Sequence, residues 1–239
     1  MRLAIISDIH GNIHALEQVL VDIHQQAPDR LICLGDLVGY GVFPNEVIDT
    51  IRDREIPTIM GNYDDGVGYD RDDCGCVYQD AEADRLGKLS LHWSREHVRE
   101  DNKAYLRALP EQMRETIGEQ RVLFVHGSPR RMNEYLYEDR PDATFERIAA
   151  DADANVILFG HTHLPYTKEI ARTLFVNTGS VGKPKDGNPQ AGYVLIDFVQ
   201  ASPVVEFRRL DYDVNAAVEA IRSSRMPDHF ADVLASGGQ

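Results

Sequence analysis

The sequence predicts an α/β protein of two sheets with flanking helices. Short apolar runs alternate with amphipathic stretches through the first sixty or so residues, the pattern of βαβ units. Hairpin-like pairs dominate the second half, and a polar stretch with its own helical segment separates the two regimes. With 239 residues, 43% of them hydrophobic, the chain suits a single domain over 1–239. A chain of that size buries roughly 70–75% of the surface its unfolded form exposes.

The elements follow in order. Leu3–Ile6 reads as a strand that ends in Ser7-Asp8-Ile9-His10-Gly11. Ile13, Leu16, Val19, Leu20 and Ile23 then share one helical face, with Asn12 as its N-cap. Leu31–Leu34 is a second strand before Gly35-Asp36, and Val47, Ile48 and Ile51 mark a second helix. Ile56–Met60 is a third strand, ending at Gly61-Asn62. Residues 66–110 read as a helical insertion beside the core: acidic through Asp70–Asp84, helical through Ser90–Val98, closed by Pro110. Met113–Ile117 with Arg121–Val125, Thr167–Ile170 with Leu174–Val176 (across Ala171-Arg172-Thr173), and Tyr193–Phe198 with Val204–Arg208 read as antiparallel pairs. Thr144–Ala149 is helical, Val156–Phe159 is a buried strand, 213–235 is helical, and 235–239 is a loose tail.

Composition narrows the function. Asp and Glu number 39 against 25 Lys and Arg, a formal charge of −14, which argues against duplex nucleic acid as partner. No apolar run approaches the ~20 residues of a membrane helix. Met1–Ile6 runs directly into a strand, which argues against a signal peptide. Three cysteines make a disulfide scaffold a poor fit and point to a reducing, cytoplasmic setting.

Five apolar runs end in metal-capable residues: Asp8 and His10, Asp36, Asn62, His126, and His161 with His163. In open α/β sheets ligands bind beyond the carboxyl ends of strands, so aligned strands would gather all seven side chains in one crevice. Carboxylate and amide oxygens mixed with imidazole nitrogens suit Mn²⁺, Fe²⁺, Zn²⁺, Co²⁺ or Ni²⁺, and seven donors suit two ions rather than one.

The series Asp8-x-His10, Gly35-Asp36-x-x-Gly39, Gly61-Asn62-x-Asp64, His126-Gly127 and Gly160-His161-x-His163 resembles the calcineurin-like metallophosphoesterase superfamily over residues 1–200. His126-Gly127-Ser128-Pro129 and the 177–182 turn are similar to those of its small prokaryotic phosphoesterases. The resemblance implies a four-layer α/β/β/α sandwich, the metallo-dependent phosphatase fold, with a dinuclear centre. Asp8, His10, Asp36 and His163 would hold one ion, and Asp36, Asn62, His126 and His161 the other, with Asp36 bridging. A metal-bridging hydroxide would attack a small phosphate-ester or nucleotide-like substrate. The resemblance also leaves open a protein Ser/Thr phosphatase, a dinucleoside polyphosphate hydrolase and a non-catalytic interaction scaffold.

One position departs from the family pattern. Tyr63 stands where most members with a full catalytic set carry His, and a phenol of pKa about 10 is a weak acid at neutral pH. Tyr63 and Asp64 are the candidate catalytic pair, and the substitution shifts the expectation towards diesters. Asp64 either holds Tyr63 or caps the loop. Ser128 reads as loop support, Arg130 and Arg131 as solvated surface. Lys183, Lys185 and the 177–182 turn lie near the crevice, and Cys74-Gly75-Cys76 lacks the second cysteine pair of a zinc site.

Overall fold

A computed structural model describes residues 1–77, 80–199 and 202–238. β1 (Arg2–Ile6) leads into α1 (Ile13–Gln26), where the Asn12 side chain accepts the Ala15 N–H at 3.1 Å as the expected N-cap. β2 (Arg30–Cys33) and α2 (Pro44–Asp53) follow, then α3 (Asn62–Gly68), α4 (Ala81–His97) and α5 (Glu100–Ala108). β3 (Gln112–Ile117) and β4 (Gln120–Val125) precede α6 (Asp142–Ala152) and β5 (Val156–Phe159). β6 (Tyr166–Ile170), β7 (Thr173–Asn177), β8 (Ala191–Asp197) and β9 (Val204–Leu210) lead to α7 (Val214–Arg222) and α8 (Asp228–Ser236).

The strands form two sheets, β2-β1-β8-β9 and β3-β4-β5-β7-β6. Period-two alternation decides how they stack. Leu3, Ile5, Val194 and Ile196 from the first sheet meet Val122, Phe124, Val156 and Leu158 from the second, which makes the inter-sheet core. The alternate residues Ala4, Ile6, Tyr193 and Leu195 pack outward on Leu16, Val19, Val47 and Ile48 of α1 and α2. On the other side Leu123, Ile157, Phe159 and Phe175 pack on Phe145 and Ile148 of α6. The layers therefore run helix, sheet, sheet, helix. β1 with β2, and β4 with β5 and β7, are parallel, so five strand ends converge on one edge of the sandwich.

Five local expectations are corrected. Residues 56–60 form no strand beyond a single bridge of Thr58 to Cys33. Pro57 has no N–H to give, and the Met60 N–H turns away to the Pro110 carbonyl at 2.8 Å. The 171–173 turn has two residues, since Thr173 already pairs with Ile170; Ala171 and Arg172 take φ of 52° and 64° without a glycine. The 213–235 helix is two helices, broken before Pro227, which caps α8. Ala235 and Ser236 are helical rather than loose, and Gly237 ends α8 at φ 71° while its carbonyl accepts the Gly187 N–H; Gln239 lies outside the described residues. In 66–110, α3 begins before the expected boundary, and residues 78 and 79 lie outside the described residues.

Candidate metal centre

The strand ends carry their donors on strained backbone. Asp8, His10, Asp36, His161 and His163 all have φ between 51° and 65°, a left-handed conformation uncommon for residues other than glycine. Cross-loop hydrogen bonds hold it. The Asp8 N–H donates to the Gly35 carbonyl and the His10 N–H to the Asp36 carbonyl, each at 3.0 Å. The His161 N–H donates to Asp8 Oδ2 at 3.0 Å. Asn177 Nδ2 donates to the Gly160 carbonyl at 2.9 Å, and Ser180 Oγ donates to the Asp8 carbonyl at 2.7 Å, so the 177–182 turn stitches two ligand loops together. Gly61 and Gly160 are glycine for a steric reason: a Cβ at the first would strike Asp36 Oδ1, and at the second Asp8 Oδ2 and Ser7 Oγ.

All seven expected donors are buried: His10, Asp36, Asn62, His161 and His163 line the crevice, and Asp8 and His126 lie against them, 3.2 Å from His163 and 3.4 Å from Asp36 respectively. Asp8, His10 and His163 offer ligand atoms within 4.8 Å of one another, and so do Asp36, His126 and His161. Asp36 Oδ2 lies 3.7 Å from His10 Nε2 and 3.4 Å from His126 Nε2, between the two groups. Asn62 Oδ1 lies 3.1 Å from His126 Nε2, while its amide nitrogen is turned to the Cys74 carbonyl and Cys76 Sγ.

The donor set fits divalent cations. His10 and His126 place Nδ1 2.8 Å from the carbonyls of Val38 and Leu34, and His163 Nδ1 bonds the Lys183 carbonyl. Each bond puts a proton on Nδ1; in His10 and His163 this leaves Nε2 as an inward lone pair, while His126 turns Nε2 to Asp36 Oδ2 at 3.4 Å. His10 and His163 then face each other Nε2 to Nε2 at 3.2 Å. Burial, followed by His163, pushes the His10 pKa well down, and burial with Lys185 pushes His163 down to about 4. Two neutral imidazoles thus aim lone pairs at each other, an arrangement a cation resolves. Asp8 Oδ1 and His161 Nε2 are buried without a hydrogen-bond partner among the described residues. Although burial raises it, His163 and His126 hold Asp8 below the usual carboxylate range. Burial raises Asp36, and against burial Asp36 and Asp8 lift His126 to about 10.

Tyr63 and Asp64 sit beside these donors, each bonded to the backbone or side chain of the Asp36 loop. Tyr63 is buried, its N–H donates to Asp36 Oδ1 at 2.8 Å, and its ring stands edge-on to His10 at 5.4 Å. Its side chain shares a hydrogen bond with Tyr40. Asp64 accepts three backbone N–H groups, from Asp36 (2.7 Å), Leu37 (2.9 Å) and Gly61 (3.0 Å). Of the two readings open for Asp64, these bonds are those of a loop clamp.

Ser128 accepts the N–H groups of Arg130 and Arg131, so it supports the His126 loop as expected. Lys185 lines the crevice with its amine at lowered pKa through burial. Sequence reasoning missed Tyr135, whose ring lies 4.1 Å from that of His161. It also gave Cys76 no place in the crevice, whose wall it forms. No periodicity marks either residue.

The model of the calcineurin-like phosphoesterase superfamily domain matches residues 1–201. The uncharacterized protein MJ0912 of Methanocaldococcus jannaschii is 32% identical over 253 residues, covering 98% of each chain. Phosphodiesterase YfcE of Escherichia coli is 27% identical over 197 residues, 82% of this chain and 88% of that one. Among solved structures, a metallophosphoesterase from Sphaerobacter thermophilus matches with a TM-score of 0.77 at 29% identity and 99% coverage of both chains. The chain belongs to the calcineurin-like phosphoesterase superfamily and is a metal-dependent phosphoesterase.

Proposed function

We propose that the chain hydrolyses phosphodiesters and nucleotide-like phosphates with two divalent ions, in the cytoplasm. The observation that carries this reading is the pair of inward Nε2 lone pairs of His10 and His163 beside the orphaned Asp8 Oδ1. Asp8, His10 and His163 would hold one ion, Asn62, His126 and His161 the other, and Asp36 both; Mn²⁺, Fe²⁺, Zn²⁺, Co²⁺ and Ni²⁺ suit these donors. Divalent ions held by these residues would supply a hydroxide nucleophile at neutral pH and offset charge on the phosphoryl oxygens.

The chain's own residues do the rest. Lys185 faces an incoming phosphoryl group as a cation in the crevice wall. Tyr63 braces His10 and shares its hydroxyl with Tyr40, which leaves the family's acid position without a strong proton donor. The leaving oxygen then departs largely as an anion, which favours diesters with stable leaving groups. The name of the relative YfcE, a phosphodiesterase, supports the same preference. Residues 66–110 serve as a cap that brings Cys76 to the crevice and governs which esters enter. A protein Ser/Thr phosphatase shares the donor set; a non-catalytic scaffold has no use for facing imidazole lone pairs.

The test is metal content by mass spectrometry together with hydrolysis of bis-p-nitrophenyl phosphate, p-nitrophenyl phosphate and a phosphopeptide under Mn²⁺, Ni²⁺ and Mg²⁺. Two ions per chain and chelator-sensitive diester hydrolysis are expected. A preparation that binds no metal and turns over nothing belongs to the scaffold reading.

A further inference from the structure

Beside the crevice, and sharing Tyr135 with it, lies an open pocket of about 920 Å³. That volume is in the range of pockets that take a nucleotide-sized molecule. Its floor is aromatic. The Tyr135 and Tyr137 rings stack at 5.8 Å with 15° between their planes, and Tyr135 continues to His161 of the metal centre. One wall is fixed by Asn133 Nδ2, which donates to the Gly75 carbonyl at 2.7 Å.

The charges around this floor are sorted. Arg130 is taken up by Glu134, with Nε 3.0 Å from Oε2, and Glu134 also receives the Ser128 hydroxyl. The pocket's single carboxylate is therefore neutralised within its own wall. Arg131 and Arg140 line the same pocket, are exposed, and form no ion pair among the described residues. On the far side of Tyr137 the next hollow is acidic, lined by Glu138 and Asp139. In a chain of charge −14, two guanidinium groups outside any ion pair and a pair of stacked tyrosines in one pocket lining form a local anion site.

We propose that this pocket is a nucleotide subsite: the base stacks on Tyr135 and Tyr137 while a phosphate of the same nucleotide pairs with Arg131 and Arg140. The proposal rests on the diesterase reading and deepens it. Its substrate is a phosphodiester in which one alcohol belongs to a nucleotide carrying a further phosphate. Tyr135 joins the two sites, so the scissile group reaches the metal donors while the nucleotide occupies the pocket. Stacking accepts any base, whereas planar guanidinium groups demand the second phosphate.

Binding is measured first without catalysis, by calorimetry of the metal-free protein with adenosine 5′-monophosphate, adenosine and inorganic phosphate. The monophosphate should bind more tightly than either part. Arg131→Gln/Arg140→Gln should weaken it by about tenfold for each charge lost, a typical value for a charge-assisted hydrogen bond. Tyr137→Ala should weaken adenosine and its monophosphate alike, by about fivefold or more. Equal affinity of phosphate and the monophosphate, or an unchanged double variant of wild-type thermal stability, overturns the subsite. The kinetic arm compares kcat/KM for 5′-phosphoadenylyl-3′,5′-adenosine with that for bis-p-nitrophenyl phosphate, and the ratio should fall in the double variant. Arginine-dependent nucleotide binding without hydrolysis of either ester keeps the subsite and removes the diesterase reading. Diester hydrolysis without nucleotide binding does the reverse.

Discussion

Replacing Asp64 by Asn separates a structural clamp from a catalytic group. Asp64 Oδ2 accepts the N–H groups of Asp36 and Gly61, and Oδ1 accepts that of Leu37. Burial and the neighbouring Asp36 push its pKa up to about 7, so the site is a costly one for charge, and the three N–H donors offset that cost. In Asp64→Asn one oxygen becomes an NH₂ group that faces N–H donors. Whichever way the amide turns, one or two buried N–H groups lose their acceptor, at about 1–3 kcal/mol each. A loss of about 2–4 kcal/mol is therefore expected, which lowers the melting temperature by roughly 5–15 °C for a chain of this length. The freed amides are those of Asp36 and its neighbours, so the bridging carboxylate shifts and metal affinity should fall by about 10–100-fold. Urea unfolding of the metal-free protein reads the first effect and competitive metal titration the second. A variant of wild-type stability and metal affinity whose turnover collapses would place Asp64 on the reacting groups and refute the clamp.

Other perturbations follow from the same geometry. Asp36→Asn keeps the acceptor for the Tyr63 N–H but removes the charge between the two donor groups, so bound metal should drop below two per chain and activity should vanish in a folded protein; near-wild-type activity with two ions ends the bridging assignment. Lys185→Ala should raise KM for anionic esters while leaving metal content intact, and an unchanged KM would place Lys185 outside the phosphoryl path. Tyr63→Phe should cost far less than the ~10²–10⁴-fold typical of a general acid, measured across leaving groups of graded pKa; a loss of that size would return Tyr63 to the chemistry. Asp22, although burial pushes its carboxyl up, is held below its usual range by Tyr193 at 2.6 Å and Arg208 at 3.0 Å. A depressed folded pKa adds stability above the unfolded value of about 3.9 that is lost as pH falls through the folded one, so Asp22→Asn should lower stability at pH 7 by about 1.5–3 kcal/mol and flatten the acid limb of the stability curve.

The candidate donors were legible in the sequence because each sits where an apolar run stops, and period-two burial fixes where such runs end. Val156–Phe159 matches β5, and Asp36, His126 and His161 come together from three such ends. Two sheets with flanking helices were legible from βαβ spacing and hairpin pairs, but the stacking order came only with the family resemblance, because the apolar runs of β1 and β4 are continuous although Leu3 and Phe124 face one core and Ala4 and Leu123 two others. What stayed hidden depends on contacts between distant loops. Nothing local marks Tyr135, which lies beside His161 only because the 126–137 loop folds back over the crevice. Nothing local announces that Pro57 and the carbonyl of Pro110 keep residues 56–60 out of the sheet.

The deepest omission is the left-handed backbone at Asp8, His10, Asp36, His161 and His163. Local preference runs against that conformation at every one of these residues, and sequence patterns report local preference. The loops hold it collectively, through the Asp8 to Gly35 and His10 to Asp36 hydrogen bonds and through the Asn177 and Ser180 side chains. The strain has a use. It turns successive side chains inward from short loops, so His161 and His163, two residues apart, serve opposite donor groups. The carbonyls of Val38, Leu34 and Lys183 then fix each ring with Nε2 towards the centre. Lone pairs are thus brought face to face by the fold itself, and the free energy of relieving them becomes available to cation binding. Weakening one stitch, as in Asn177→Ala, should therefore lower metal affinity through ring disorder even though Asn177 offers no ligand atom to either group.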